Sequence, residues 1–209
     1  MPLVSCILAT KDRPHFLARA IDYYLRQTLP DTELVIVDDG SQSCEALVPR
    51  APHITYLRLA NETPLGTKLN LGIEASSGRV IQKLDDDDYY HPRFLEVMTS
   101  ALSSSGRFDV IAGVERLLVL ISATGDLVDA GGGWFAGGTY CFLRDTWKQH
   151  PFRDVPGGRV LPRGSSRSRH AAGVRPRVVH PGAPRPAHLD PYGARSGAAV
   201  HRRAGRGRH

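Results

Sequence analysis

The sequence predicts an α/β domain whose mainly parallel sheet is flanked by helices on both faces. Strand-length apolar runs alternate with segments whose apolar residues recur at helical spacing, the pattern that builds right-handed crossover connections. The runs are apolar on both sides rather than alternately apolar and polar, as suits strands covered on both faces. Three of them end in polar or acidic turns, and in a parallel sheet those ends share one rim, where ligands bind.

The first run, residues 3–9, ends at Thr10, Lys11, Asp12 and Arg13. Phe16, Leu17, Ala20, Ile21, Tyr24 and Leu25 then recur at helical spacing, with Pro14 at the helix start and Pro30 beyond its end. Residues 34–37 make a second strand running into Asp38, Asp39, Gly40 and Ser41. A third run covers 54–59, a helix carries Leu65, Leu69 and Ile73, and a fourth strand, 79–84, runs into Asp85, Asp86, Asp87 and Asp88. After Pro92, a helix places Phe94, Leu95, Met98 and Leu102 on one face. Residues 108–122 and 127–130 flank the turn Ala123-Thr124-Gly125-Asp126 and predict an antiparallel hairpin. A glycine-rich segment, 131–138, leads into a strand at 139–143 and a short helix around 145–149.

The net charge of +6 is uneven: residues 1–152 carry −5 and residues 153–209 carry +11, with thirteen arginines, no lysine and only Asp154 and Asp190 as acids. The basic balance therefore belongs to the tail, and no recognition fold accompanies it, so no nucleic-acid partner is expected. Residues 153–209 also lack Glu, Ile, Phe, Met, Trp, Asn, Gln, Thr and Cys. That restriction to residues with GC-rich codons reads as a gene translated out of frame; the alternative is a native arginine-rich tail. The organisation expected is a folded α/β domain at 1–156 and a disordered tail at 157–209. Its scattered Val and Leu are too few to offset roughly 1–2 kcal/mol of backbone entropy per residue, so it should not pack on the domain.

No leader-like segment is visible, and the apolar stretch 110–123 is broken by Glu115 and Arg116, so no transmembrane segment and a cytoplasmic location are expected. Cys6, Cys44 and Cys141 are widely spaced and read as reduced thiols. His15, His53 and His91 lack metal-ligand spacing and read as surface or packing residues.

Four adjacent carboxylates where a buried strand ends repel one another unless something positive is bound. A hard divalent cation answers that need, because Mg²⁺ or Mn²⁺ takes one or two carboxylates together with phosphate oxygens and water. The pair Asp38-Asp39 lies on the same rim, where a carboxylate accepts a hydrogen bond from a nucleobase imide or ribose hydroxyls. One cluster then holds a nucleoside and the other a metal-diphosphate.

The segments Val4 to Pro14, Glu33 to Ser41, Gly66 to Gly72 and Leu84 to Pro92 resemble family 2 glycosyltransferases in order and spacing, over roughly residues 3–155. The resemblance implies a GT-A, Rossmann-like fold, a nucleotide-diphosphate sugar donor with a UDP-sugar foremost, a saccharide or other hydroxyl acceptor, Mn²⁺ or Mg²⁺, and inversion at the anomeric carbon. It places Thr10 and Asp12 in the first donor-binding loop and makes Asp39 the base-recognition residue, with Asp38 beside it. Asp85 and Asp87 match the D-x-D acids, with Asp86 and Asp88 assisting at the donor and the metal. Lys68 stands where the family often has a basic residue near the donor, against a reading as surface-exposed. Trp134 falls on the acceptor side, where it stacks on a sugar or packs in the core. The family's acid for the general base is missing after the glycine-rich region. Asp154, a few residues early, is the nearby candidate. The alternatives are a non-catalytic nucleotide-sugar-binding remnant of a disrupted gene and a metal-dependent nucleotidyltransferase, whose N-terminal phosphate loop is absent.

Overall fold

The computed structural model describes residues 3–104, 111–114, 118–121, 126–129, 137–154 and 173–174. In chain order these form β1 (Val4–Thr10), α1 (Pro14–Leu25), β2 (Thr32–Asp38), β3 (Ile54–Arg58), α2 (Leu65–Glu74), β4 (Val80–Asp85) and α3 (Phe94–Ser104). Then come β5 (Ile111–Val114), β6 (Leu118–Ile121), β7 (Asp126–Asp129), β8 (Cys141–Leu143), α4 (Arg144–Gln149) and β9 (Gly173–Val174).

The main sheet has the order β3-β2-β1-β4-β8-β5-β9. Its first four strands are parallel, whereas β8 runs antiparallel to both β4 and β5. The chain winds outward from β1 to β2 and β3, then returns to set β4 on the other side of β1. That reversal opens a crevice at the carboxyl ends of β1 and β4, where open α/β sheets bind ligands. Thr10 pairs in register with Asp38, and Ala9 with Asp85, so the three polar turns meet there.

Side-chain alternation along β1 divides the core. Val4, Cys6 and Leu8 join Leu17, Ile21 and Tyr24 of α1 and Leu95 and Met98 of α3. Ile7 packs on the opposite face with Val35, Val37 and Ile81 against Leu69 and Ile73 of α2. Helix α2 lies close to the sheet because Gly72 permits it: a Cβ there would stand 2.7 Å from the Ile7 Cγ2. The three cysteines are buried and free, and burial pushes the Cys141 thiol up to about 12.

Two expectations change. The run 108–122 does not form one hairpin arm: β5 joins the main sheet beside β8, and only β6 pairs antiparallel with β7. The charged dipeptide Glu115-Arg116 separates the two strands in sequence. Beyond residue 157, Gly173 and Val174 pair in parallel with Gly113 and Val114 of β5, so these two residues do meet the domain. Such a bridge uses backbone groups alone, which the tail's composition does not withhold. The rest of the tail and Trp134 lie outside the described residues.

Candidate functional site

The turn after β1 ties the two acidic clusters together. Thr10, buried at the end of β1, donates its hydroxyl to the Asp86 Oδ2 at 2.7 Å. The Arg13 guanidinium reaches the same turn from outside, with Nη1 at 3.1 Å from the Asp86 Oδ1 and 2.9 Å from the Asp87 Oδ2. Asp12 adopts φ 54°, a left-handed conformation that Asp tolerates. Its Oδ1 accepts from the Ser41 N–H at 2.5 Å and the Ser41 hydroxyl at 2.7 Å, bonds that hold its carboxyl below the usual range.

Asp38 and Asp39 diverge. Asp38 is fully buried and accepts from the Gly40 N–H at 2.8 Å, the Cys44 N–H at 3.1 Å and the Tyr56 hydroxyl at 2.5 Å. Burial alone would raise its pKa, yet these bonds and the Arg58 charge outweigh it and hold the carboxyl low. Its task is to fold the loop after β2, which corrects the expectation that it faces a ligand. Asp39 is also buried: its Oδ1 lies 2.6 Å from the Lys68 Nζ, and its Oδ2 accepts from the Thr63 N–H at 2.8 Å. Lys68, with a side chain only 8% exposed, also donates to the Thr10 carbonyl at 3.3 Å, so the surface reading does not hold.

The four aspartates are sorted by their surroundings. Arg13 holds Asp86 and Asp87, while the buried Lys83 ammonium pairs with the Asp85 Oδ1. The remaining Asp85 oxygen, Oδ2, turns toward Gly138, where a Cβ would stand 2.5 Å from it and 2.7 Å from the Asp88 Oδ2. Two carboxylate oxygens thus converge over a glycine that leaves room for both. Burial, and then the charges of Asp85 and Asp87, raise the Asp88 carboxyl to about 6. Tyr90 fixes the arrangement: its hydroxyl accepts from the Asp85 N–H at 2.7 Å and donates to the Gly138 carbonyl at 3.0 Å. Burial, and next the charges of Asp85 and Asp88, push Tyr90 well above its ordinary pKa, which keeps it a donor.

Among the described residues no three carboxylate, His or Cys groups already converge as a complete metal cage. Asp85 and Asp88 supply two hard oxygen ligands, which fits a Mg²⁺ or Mn²⁺ that takes its other ligands from phosphate and water. The Asp87 Oδ2 is already engaged by Arg13 at 2.9 Å.

Asp154 does different work. Its two oxygens accept from the Thr67 N–H at 2.9 Å and the Thr67 hydroxyl at 2.7 Å, capping the otherwise uncapped start of α2. Asn70 secures the segment before it, bonding the Trp147 indole and both backbone groups of Phe152. The candidate base is therefore a helix cap. The sequence put Arg13 on the rim and Gly138 in the glycine-rich segment without giving either a role, and gave none to Lys83 and Tyr90. A basic residue two positions before the acidic run and a glycine ahead of β8 were the only traces.

The family model for glycosyl transferase family 2 matches residues 5–116. An uncharacterized glycosyltransferase of Rickettsia prowazekii is 32% identical over 112 residues, covering 53% of this chain and 35% of that protein. One from Nostoc sp. is 33% identical over 132 residues, covering 60% and 39%. The chain thus spans little more than a third of the length of these relatives. Among solved structures, S. aureus TarS 1-349 superimposes with a TM-score of 0.58 at 15% identity, over 74% of this chain and 51% of that one. The mannosyltransferase PcManGT from Pyrobaculum calidifontis, in complex with GDP-Man and Mn²⁺, gives 0.58 at 17% identity, over 75% and 49%. These likenesses show the GT-A fold.

Proposed function

Because the chain belongs to glycosyl transferase family 2, we propose that its crevice binds a nucleotide-diphosphate sugar together with Mn²⁺ or Mg²⁺ and activates the sugar for inverting transfer to a hydroxyl acceptor. The observation that carries this reading is the convergence of the Asp85 and Asp88 oxygens over Gly138 at the crevice. TarS in complex with UDP-GlcNAc and PcManGT with GDP-Man and Mn²⁺ support it by analogy of fold.

Asp85 and Asp88 would hold the cation, with Asp87 available if Arg13 releases it. Bound there, the cation offsets charge on the diphosphate leaving group. Thr10, Asp12 and Arg13 line the turn nearest the phosphates. Asp39 and Lys68 stand toward the nucleoside, with UDP the first candidate base partner. Asp154 caps α2 through Thr67 instead of standing free as a general base, so the described residues account for the donor half of the reaction. Three free, buried cysteines go with a reducing, cytoplasmic setting, and no described helix is long and apolar enough to cross a membrane.

The test is release of UDP from UDP-sugars in Mn²⁺ and in EDTA; equal release in both would overturn the cation's role. The pH dependence adds a check. Asp88 has a folded pKa near 6, above its ordinary 3.8. Its ionised form is therefore disfavoured by the fold, and a cation must displace a proton from it below pH 6. Mn²⁺ affinity should be level above about pH 7 and fall up to about tenfold per unit below 6, with proton release on binding. Calorimetry in buffers of different ionisation enthalpy measures both.

A further inference from the structure

The four aspartates of the crevice do not face the donor alone, because the chain supplies cations of its own. Arg13 is half-exposed and touches Asp86 and Asp87 from the solvent side. Lys83 is different. It sits on the same face of β4 as Asp85, two residues earlier, with a side chain 6% exposed, and its ammonium holds the Asp85 Oδ1. Its backbone N–H donates to the Tyr140 carbonyl at 2.8 Å, which locks that stretch of β4 to the segment entering β8. The Asp85 carboxylate thus has a buried ammonium on one oxygen, while its other oxygen lies against Gly138 beside the Asp88 Oδ2.

Resting on the donor-site reading above, we propose that Lys83 is a positioning residue and built-in counter-ion that keeps the Asp85–Asp88 site weak for a bare divalent cation, so that the cation binds firmly only together with the anionic diphosphate of the donor. A cation on the other oxygen of Asp85 would stand close to the Lys83 ammonium, whose side chain is only 6% exposed although that of Asp85 is 38% exposed. Like charges at that range repel strongly. The diphosphate reverses the balance by adding negative charge on the open side. Lys83 also aims the carboxylate, leaving only Oδ2 free. For a transferase the consequence is that cation and spent nucleotide leave together instead of the cation staying behind.

The experiment is Mn²⁺ titration at pH 8, followed by calorimetry or the electron paramagnetic resonance of free Mn²⁺, on the full chain and its Lys83→Met and Lys83→Arg variants, with and without UDP. Without UDP, Lys83→Met should bind Mn²⁺ at least about tenfold more tightly than the parent, and Lys83→Arg should match the parent. A merely structural lysine would give the opposite sign, so equal or weaker binding by a Lys83→Met variant that melts like the parent overturns the proposal. Should Lys83→Met fail to fold, the parent decides: saturating UDP must raise its Mn²⁺ affinity at least about tenfold beyond the Mn²⁺–UDP association in solution, and by reciprocity the reverse. Unchanged affinity overturns the proposal. A parent that binds Mn²⁺ neither alone nor with UDP would sink the donor-site reading as well, whereas normal UDP–Mn²⁺ binding with no tightening in Lys83→Met would sink this proposal alone.

Discussion

Gly138→Ala should cost the chain about a hundredfold or more of its Mn²⁺-dependent nucleotide affinity, and should lower its melting temperature more than an ordinary surface substitution does. The added methyl would stand 2.5 Å from the Asp85 Oδ2 and 2.7 Å from the Asp88 Oδ2, closer than non-bonded atoms approach. Relief requires one or both carboxylates to rotate away, and Asp85 cannot turn freely because Lys83 holds its other oxygen. The point of convergence is then lost. A clash of this kind costs roughly 1–3 kcal/mol of stability, and separately the loss of both placed oxygens should remove about two orders of magnitude in affinity. Gly138 does not occupy the left-handed region, so alanine adds no backbone strain. Binding of UDP with Mn²⁺, measured beside thermal unfolding, separates the two effects; parent-like affinity would place the cation elsewhere.

Lys68→Met should be the most destabilising single change at the crevice. Lys68 and Asp39 are both buried and joined at 2.6 Å. Removing the ammonium leaves a buried carboxylate with only the Thr63 N–H at 2.8 Å, a loss of roughly 3–5 kcal/mol. Replacing both residues with apolar ones of similar size, Asp39→Leu with Lys68→Met, should recover most of that stability, because no charge is then stranded. Nucleoside binding should not recover, since the double variant has lost the acceptor assigned to the base. Urea unfolding of the parent, both single variants and the double variant measures the coupling. Additive losses would mean the pair is not an energetic unit.

Much of this was legible in the sequence, and for identifiable reasons. The parallel strands read clearly because each is an apolar run of fixed length, and the helices because Leu17, Ile21 and Tyr24, or Leu69 and Ile73, repeat at helical spacing. The rim followed from topology, since parallel strands put Thr10, Asp38 and Asp85 at the same end. What stayed hidden was pairing across long separations. Nothing local to Thr139 or Leu143 says that β8 inserts antiparallel beside β4. That insertion is what carries Gly138 to Asp85 and Asp88. The sorting of the aspartates was hidden for the same reason: Arg13 lies far from Asp87 in sequence, and only the crossover brings them to 2.9 Å. Lys68 could be read as exposed because a lysine on an amphipathic helix is usually solvated; its burial depends on Asp39 arriving from β2. Asp154 looked catalytic because it was the acid nearest to where one was wanted, and its use as a cap appears only when the segment after α4 folds back over α2.

Asp85 and Asp88 would hold the cation that lets the crevice take a nucleotide diphosphate. The most direct measurement is calorimetric titration of UDP into the full chain at pH 8, in Mn²⁺ and in EDTA, for the parent and for Asp85→Asn and Asp88→Asn. The account predicts binding in Mn²⁺ that falls at least about tenfold in EDTA, and variants that bind in Mn²⁺ no better than the parent does in EDTA. Equal affinity with and without the cation, or variants that keep the full effect of Mn²⁺, would contradict it.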